Sequence, residues 1–256
     1  MFAQSSTGEC IPTLVRTSRI LDFLAIGRHA DPRVPLLIRG EPGVGKDVLA
    51  RQIHGDSPRR DHGFVKVNCA AQPADHLEAD LYGHEKGASP SATRRRLGSF
   101  EYANDGTLYL DEIGAVPHAL VPKLLRTLRT GEVSRAGGRE TMRTDVRVIA
   151  STARSAETES DDLWQQLYSV GVVEICIPPL RQRTDEIAVF ASFFLDQLNR
   201  RYRRDVQLCP DVLAAFQRHA WPGNIRELEE AVHRLVVGGA GSRSLVDALI
   251  GARWAG

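Results

Sequence analysis

Gly40-Glu41-Pro42-Gly43-Val44-Gly45-Lys46-Asp47 is a glycine-rich turn set between an apolar run and a helical one. The run before it, Val34-Pro35-Leu36-Leu37-Ile38-Arg39, has the composition of a buried parallel strand. The run after it, Val48-Leu49-Ala50-Arg51-Gln52-Ile53, fits a helix with its apolar side on a sheet. Glycines at 40, 43 and 45 let backbone amides turn inward around phosphate oxygens. The helix N-terminus adds partial positive charge, and Lys46 neutralises the outer phosphates. Gly40 through Asp47, with Val48 behind them, are therefore the candidate nucleotide contacts. Asp47 stands where a Ser or Thr hydroxyl normally meets Mg2+ in such loops.

Four more apolar runs read as strands: 64–68, 107–110, 146–151 and 172–177. Helical patterns near 17–27, 47–54, 73–82 and 117–129 separate most of them. That alternation predicts an α/β fold, a parallel five-stranded sheet with helices on both faces. The polar, Gly-rich stretch 131–144 predicts a projecting hairpin or loop. Pro178-Pro179 breaks the pattern, and the chain beyond it is helical over 184–203, 210–219 and 224–237. The expected division is an α/β nucleotide-binding domain over 1–177 and a small helical domain over 178–256.

The chain has 256 residues and a formal net charge of +1, so no global pull on nucleic acid or membrane is implied. Cys10, Cys69, Cys176 and Cys209 are widely spaced and read as reduced cytosolic thiols. No apolar run reaches the ~18–20 residues that span a bilayer. The expectation is a soluble, cytoplasmic protein without a membrane partner.

A second element supports nucleotide chemistry. Thr107-Leu108-Tyr109-Leu110-Asp111-Glu112 is a strand ending in two acids. Asp111 at the strand's carboxyl end, beside the phosphate loop, is the candidate Mg2+ ligand. Glu112 is the candidate group that orients an attacking water.

GEPGVGKD, FVKVNCAA, LYGHEKGA, DGTLYLDEIG, PKLLRTLRTGEVSRAGG, DVRVIAST, PPLRQR and WPGNIREL succeed one another along the chain. In that order they resemble the AAA+ domain of bacterial sigma-54-dependent enhancer-binding regulators, over roughly residues 10–238. The resemblance implies an AAA+ P-loop fold with a C-terminal helical lid, ATP and Mg2+ as ligands, assembly into rings, and remodelling of a sigma-54 polymerase complex. It implies that Asn68 is a switch residue restraining Glu112, and that Arg226 reaches from the lid onto the phosphates.

Three departures from the family pattern temper that expectation. The family's sigma-contacting loop reads GHEKGAFTGA, whereas this chain reads Gly87-Ala88-Ser89-Pro90-Ser91-Ala92. Ser replaces the aromatic anchor, Pro replaces the Thr, and Pro90 fixes a backbone angle in a loop that must move. The family's trans-acting arginines lie in a stretch resembling FREDLYYRL, and here Ser160 and Gln166 take their places. The family's Ala-Thr-Asn at the fourth strand reads Ser151-Thr152-Ala153, without the amide. Together these predict ATP binding with weak turnover and no productive contact with sigma-54.

Two alternatives accompany that expectation: an ATPase completed by a partner subunit's arginines, and a non-enzymatic sensor of a cyclic dinucleotide bound by Arg16, Arg59 and Arg60. Either fits a homo-oligomer or a mixed ring with AAA+ relatives. Too few residues lie beyond 238 for the usual DNA-binding domain, so DNA contact is expected only through a partner or a missing domain. The basic runs Arg94-Arg95-Arg96 and Arg200-Arg201-Tyr202-Arg203-Arg204 read as solvated faces.

Overall fold

A computed structural model describes residues 17–89, 92–153 and 162–238. The described residues open with α1 (Ser18–His29), β1 (Leu36–Arg39), α2 (Lys46–Gly55), β2 (Phe64–Asn68) and α3 (Ala74–Tyr82). Two short strands, β3 (Gly83–His84) and β4 (Arg96–Leu97), precede α4 (Ser99–Tyr102), β5 (Thr107–Asp111) and α5 (Val121–Thr130). Then come β6 (Glu132–Ser134), β7 (Thr141–Arg143), β8 (Arg147–Thr152), α6 (Asp162–Ser169) and β9 (Val173–Cys176). The remainder is helical: α7 (Ile187–Tyr202), α8 (Pro210–Arg218) and α9 (Asn224–Gly238).

The main sheet has five strands in the order β2-β5-β8-β1-β9, and every pairing in it is parallel. Its central strands β1, β5 and β8 are buried almost throughout, and alternate residues serve opposite faces. Leu36, Ile38, Tyr109, Ile149 and Ile175 enter one apolar cluster. Leu37, Leu108, Leu110, Val148 and Ala150 enter the other. The first cluster does not stop at the sheet. It runs through Leu49 and Ile53 of α2 into Phe190 of α7, Phe216 of α8, Trp221 of the loop that follows and Leu228 of α9. The lid is thus welded to the sheet by one continuous apolar core.

The five expected strands and the helices between them are present, with local differences at their ends. The helix expected over 117–129 begins as a 3-10 turn at His118–Leu120, and the α-helix proper starts at Val121. Pro122 sits in the first turn of α5, where its missing N–H has no partner to lose. Gly131 ends that helix in the left-handed region at φ 71°. The stretch 131–144 folds as an antiparallel hairpin, β6 against β7. Arg135 of that hairpin is buried and pairs with Glu85 and Glu101, tying the hairpin to the loop after β3.

Two histidines link fold to pH. His54 is buried, with Nδ1 2.9 Å from Thr107 Oγ1. His219 Nδ1 accepts a bond from the Trp221 amide at 3.0 Å, which only an unprotonated nitrogen can do. Burial pushes both pKa values below the ordinary 6.5. As pH falls through 6.5 the unfolded chain therefore takes up protons first, and stability present above that pH is lost. Thermal melts are expected to show a midpoint that drops as the buffer is taken from neutral to mildly acidic. The double variant His54→Gln/His219→Gln should flatten that drop; an unchanged slope would contradict the assignment.

Candidate nucleotide site

The loop between β1 and α2 lies at the carboxyl edge of the sheet, where open α/β sheets take ligands. Gly43 and Gly45 both have positive φ, 79° and 97°. A Cβ on Gly43 would come within 2.3 Å of the Gly223 carbonyl oxygen, so only glycine lets the lid approach there. The Ile225 and Arg226 amides donate to the Gly43 carbonyl at 3.0 and 3.3 Å. Asn224, wholly buried, extends the contact by donating from Nδ2 to Glu41 Oε2 and to the Pro42 carbonyl, both at 3.0 Å. Arg181 closes it with a two-point pair to Glu41 at 2.6 and 2.9 Å.

Lys46 opens α2 with 7% of its surface exposed. Its ammonium donates to the Gly40 and Glu41 carbonyls at 2.8 and 3.3 Å and stands 3.5 Å from Glu112 Oε1. Asp47 comes next, in the first turn. The backbone of Arg226 is pinned to Gly43.

The acids come from the neighbouring strands. Asp111 ends β5, and Leu110 pairs with Ala150, which sets Asp111 beside Ser151 of β8. Its Oδ1 accepts from Ser151 Oγ at 2.7 Å, and its Oδ2 pairs with Lys66 at 2.9 Å. Burial raises its pKa, but Lys66, Ser151 and Tyr109 outweigh burial and hold the carboxyl below the ordinary aspartate value.

Glu112 occupies the left-handed region at φ 56° and ψ 55°, a conformation costing a non-glycine residue about 1–3 kcal/mol. Its Oε2 accepts from the Ala153 amide at 3.0 Å. Where the family pattern carries an Asn side chain, the backbone N–H of Ala153 holds the glutamate. Asn68 ends β2 level with Asp111, and its Oδ1 accepts from the Ala70 amide at 2.9 Å. The structure does not bond Asn68 to Glu112. Cys69 is no nucleophile here: burial, with Asp111 and Glu112 adding to it, pushes the thiol up to about 12.

A cavity of about 190 Å³ adjoins the loop, lined by Phe23, Val48, Phe190, Phe194 and Ile225 with Gln197 at its wall. It has the apolar, aromatic lining that suits a flat base. A larger cleft of about 600 Å³, lined by Arg33, Arg59, Arg129 and Arg143, lies by the amino ends of β1 and β8, far from the acids. The smaller cavity adjoins the phosphate loop through Val44, Gly45 and Val48, whereas the larger cleft takes no residue from that loop.

In sequence, residues 17–175 match the Sigma-54 interaction domain family, and 181–252 match the AAA+ ATPase lid domain family. This chain belongs to the sigma-54 interaction family. It is 44% identical over 243 residues to the Nif-specific regulatory protein of Klebsiella oxytoca, covering 91% of this chain and 45% of that protein. It is 43% identical over 213 residues to the regulatory protein AtoC of Escherichia coli K12, covering 80% of this chain and 46% of that protein. Among solved structures it is similar to NtrX of Brucella abortus in complex with ATP, at TM-score 0.75 and 32% identity over 92% of this chain and 54% of that one. NtrX in complex with ADP is similar at TM-score 0.74 and 35% identity, over 88% of this chain and 51% of that one. This sigma-54 interaction chain spans about half the length of the relatives it matches. No described helix is long and apolar enough to cross a membrane.

The departures from the family pattern fall on the loop after β3, on α6 with the stretch before it, and on the end of β8. Gln166 is exposed on α6, while Ser160 lies outside the described residues. In the loop 87–92 the Gly87 amide donates to the Ala92 carbonyl at 2.8 Å and the Ala92 amide to the Ser89 carbonyl at 3.0 Å. Pro90 and Ser91 lie outside the described residues. Of the arginines considered for a cyclic dinucleotide, Arg16 is outside them too. Arg59 is spent on Asp145 at 2.6 Å, and Arg60 stands 3.6 Å from Asp61.

Sequence reasoning passed over Tyr109, Ser151, Lys66, Arg181 and Asn224 as members of this site. Asn224 stood inside the WPGNIREL run and Ser151 two residues before the missing amide. Neither signals a partner without the strand register and the lid's position.

Proposed function

We propose that this chain is the ATP-binding AAA+ module of a sigma-54-type transcription regulator, with weak turnover of its own and no capacity to remodel sigma-54 polymerase. The carrying observation is that Lys46 of the phosphate loop stands 3.5 Å from Glu112 while the Arg226 amide bonds the Gly43 carbonyl, beside an apolar slot that would suit a base. Lys46 takes the outer phosphates, and the free α2 amides add to the cradle. Asp111, with phosphate oxygens, fits a hard divalent cation: it is ionised, and Oδ2 keeps one acceptor position beside Lys66. Asp47 in the first turn of α2 adds negative charge near that position. Mg2+ there would neutralise phosphate charge. Glu112 orients water, Asn68 limits it, and Arg226 reads the phosphates from the lid, with the α/β part ending at 177.

Weak turnover follows from the residues this chain would show a neighbour. The exposed Gln166 offers an amide where a guanidinium would stabilise the transferring phosphoryl group. A partner subunit bearing arginines could complete the site, because every proposed cis group is present.

Failure at sigma-54 follows from the loop 87–92, which presents no aromatic anchor. Incubation with sigma-54 and an ATP transition-state analogue such as ADP–aluminium fluoride tests this. The expected result is no co-elution on gel filtration. Stable co-elution would overturn the claim of lost contact.

A further inference from the structure

Ser151 is fully buried on β8, one residue from the strand's end, and its single hydroxyl touches three members of the candidate site. Its oxygen lies 2.7 Å from Asp111 Oδ1, 2.9 Å from the Tyr109 hydroxyl and 3.4 Å from the Glu112 amide nitrogen. Tyr109 also stands 3.1 Å from Asp111 Oδ1. A tyrosine has one proton to give, and a serine has one proton and two acceptor lone pairs. The arrangement that uses every group once is a relay. Tyr109 O–H donates to Ser151, the Glu112 N–H donates to Ser151, and Ser151 O–H donates to Asp111 Oδ1. Tyr109 is held for this by its own packing, fully buried and stacked 6.0 Å from the Phe64 ring.

We propose that Ser151, oriented by Tyr109, is the positioning residue for both acids of the nucleotide site. It fixes the Asp111 carboxylate with Oδ2 toward the divalent cation, and it pins the left-handed backbone of Glu112. The proposal rests on the nucleotide reading of this site and deepens it. Lys66 occupies one position on Oδ2, so the cation or its water must use the remaining one. A rotation of the carboxylate would present Oδ1 instead, and the Ser151 hydroxyl prevents that rotation. The family pattern has Ala at this position and Asn two residues on. Here a hydroxyl at 151 and the Ala153 amide hold the acids from the same strand end.

The test is binding of a ribose-labelled fluorescent ATP analogue by the full chain, first in EDTA and then titrated with Mg2+. Wild type, Ser151→Ala, Ser151→Thr and Tyr109→Phe are compared at matched thermal stability. Removing a group that orients a metal ligand typically weakens metal affinity about 10- to 100-fold. The Mg2+ midpoint should therefore rise about tenfold or more in Ser151→Ala and less in Tyr109→Phe. Ser151→Thr, which keeps the hydroxyl, should restore it. Affinity in EDTA should stay within about twofold throughout, a split that a general packing defect would not produce. An unchanged midpoint in Ser151→Ala, or an equal loss with and without Mg2+, overturns the proposal alone. Absence of nucleotide binding by the wild-type chain overturns the nucleotide reading, and this proposal with it.

Discussion

Lys46→Ala is expected to cut ATP affinity roughly 30- to 4,000-fold, the range set by about 2–5 kcal/mol for removing one side of a buried charge pair. The ammonium is nearly enclosed and already gathers the Gly40 and Glu41 carbonyls and the Glu112 carboxylate within 3.5 Å. A phosphate entering the cradle would give the ammonium a direct charged partner in place of the two neutral carbonyls. Isothermal titration with ATP and Mg2+ measures the effect. Glu112→Gln should bind ATP with an affinity close to wild type, because that carboxylate is proposed to act on water and not on the nucleotide. A Lys46→Ala chain that binds ATP within about threefold of wild type would place the nucleotide elsewhere.

The second large effect is in trans. Mixing this chain with an active homologue bearing arginines at the positions of Ser160 and Gln166 should raise turnover at this chain's own site. The ceiling is the roughly 10³–10⁵-fold that an arginine finger contributes. The signal must come from this chain, so the homologue carries an alanine in place of its own phosphate-loop lysine. Adding Glu112→Gln to this chain should return the mixture to the blank. No stimulation by such a homologue would remove the mixed-ring alternative and leave a binding module that only assembles.

Much of the fold and part of the site were readable from local sequence, and the reasons are physical. The strands are short, apolar and alternate with helices, so composition alone placed them. The phosphate loop and the acidic strand end are each a short contiguous run, and their spacing carries the chemistry. What sequence could not show depends on register across the sheet. Tyr109, Asp111 and Ser151 meet because Leu110 pairs with Ala150 on a strand distant in the chain. The same holds for Asn224, whose place over Glu41 and Pro42 depends on where the lid docks. Pro178-Pro179 marks a change of secondary structure, yet the apolar core passes through it without interruption. The loss of the amide at Ala153 looked like the loss of a contact, and the backbone N–H of that residue makes one with Glu112.

The central claim is that the chain binds ATP and, alone, barely hydrolyses it. Its most direct test is steady-state ATP turnover as a function of the chain's own concentration, with ATP binding measured in parallel and Glu112→Gln as the blank. The account predicts saturable binding and a turnover trace that stays near the blank at every concentration. Turnover per chain that climbs steeply with concentration would contradict it, because it would mean that a ring of identical chains supplies every group hydrolysis needs.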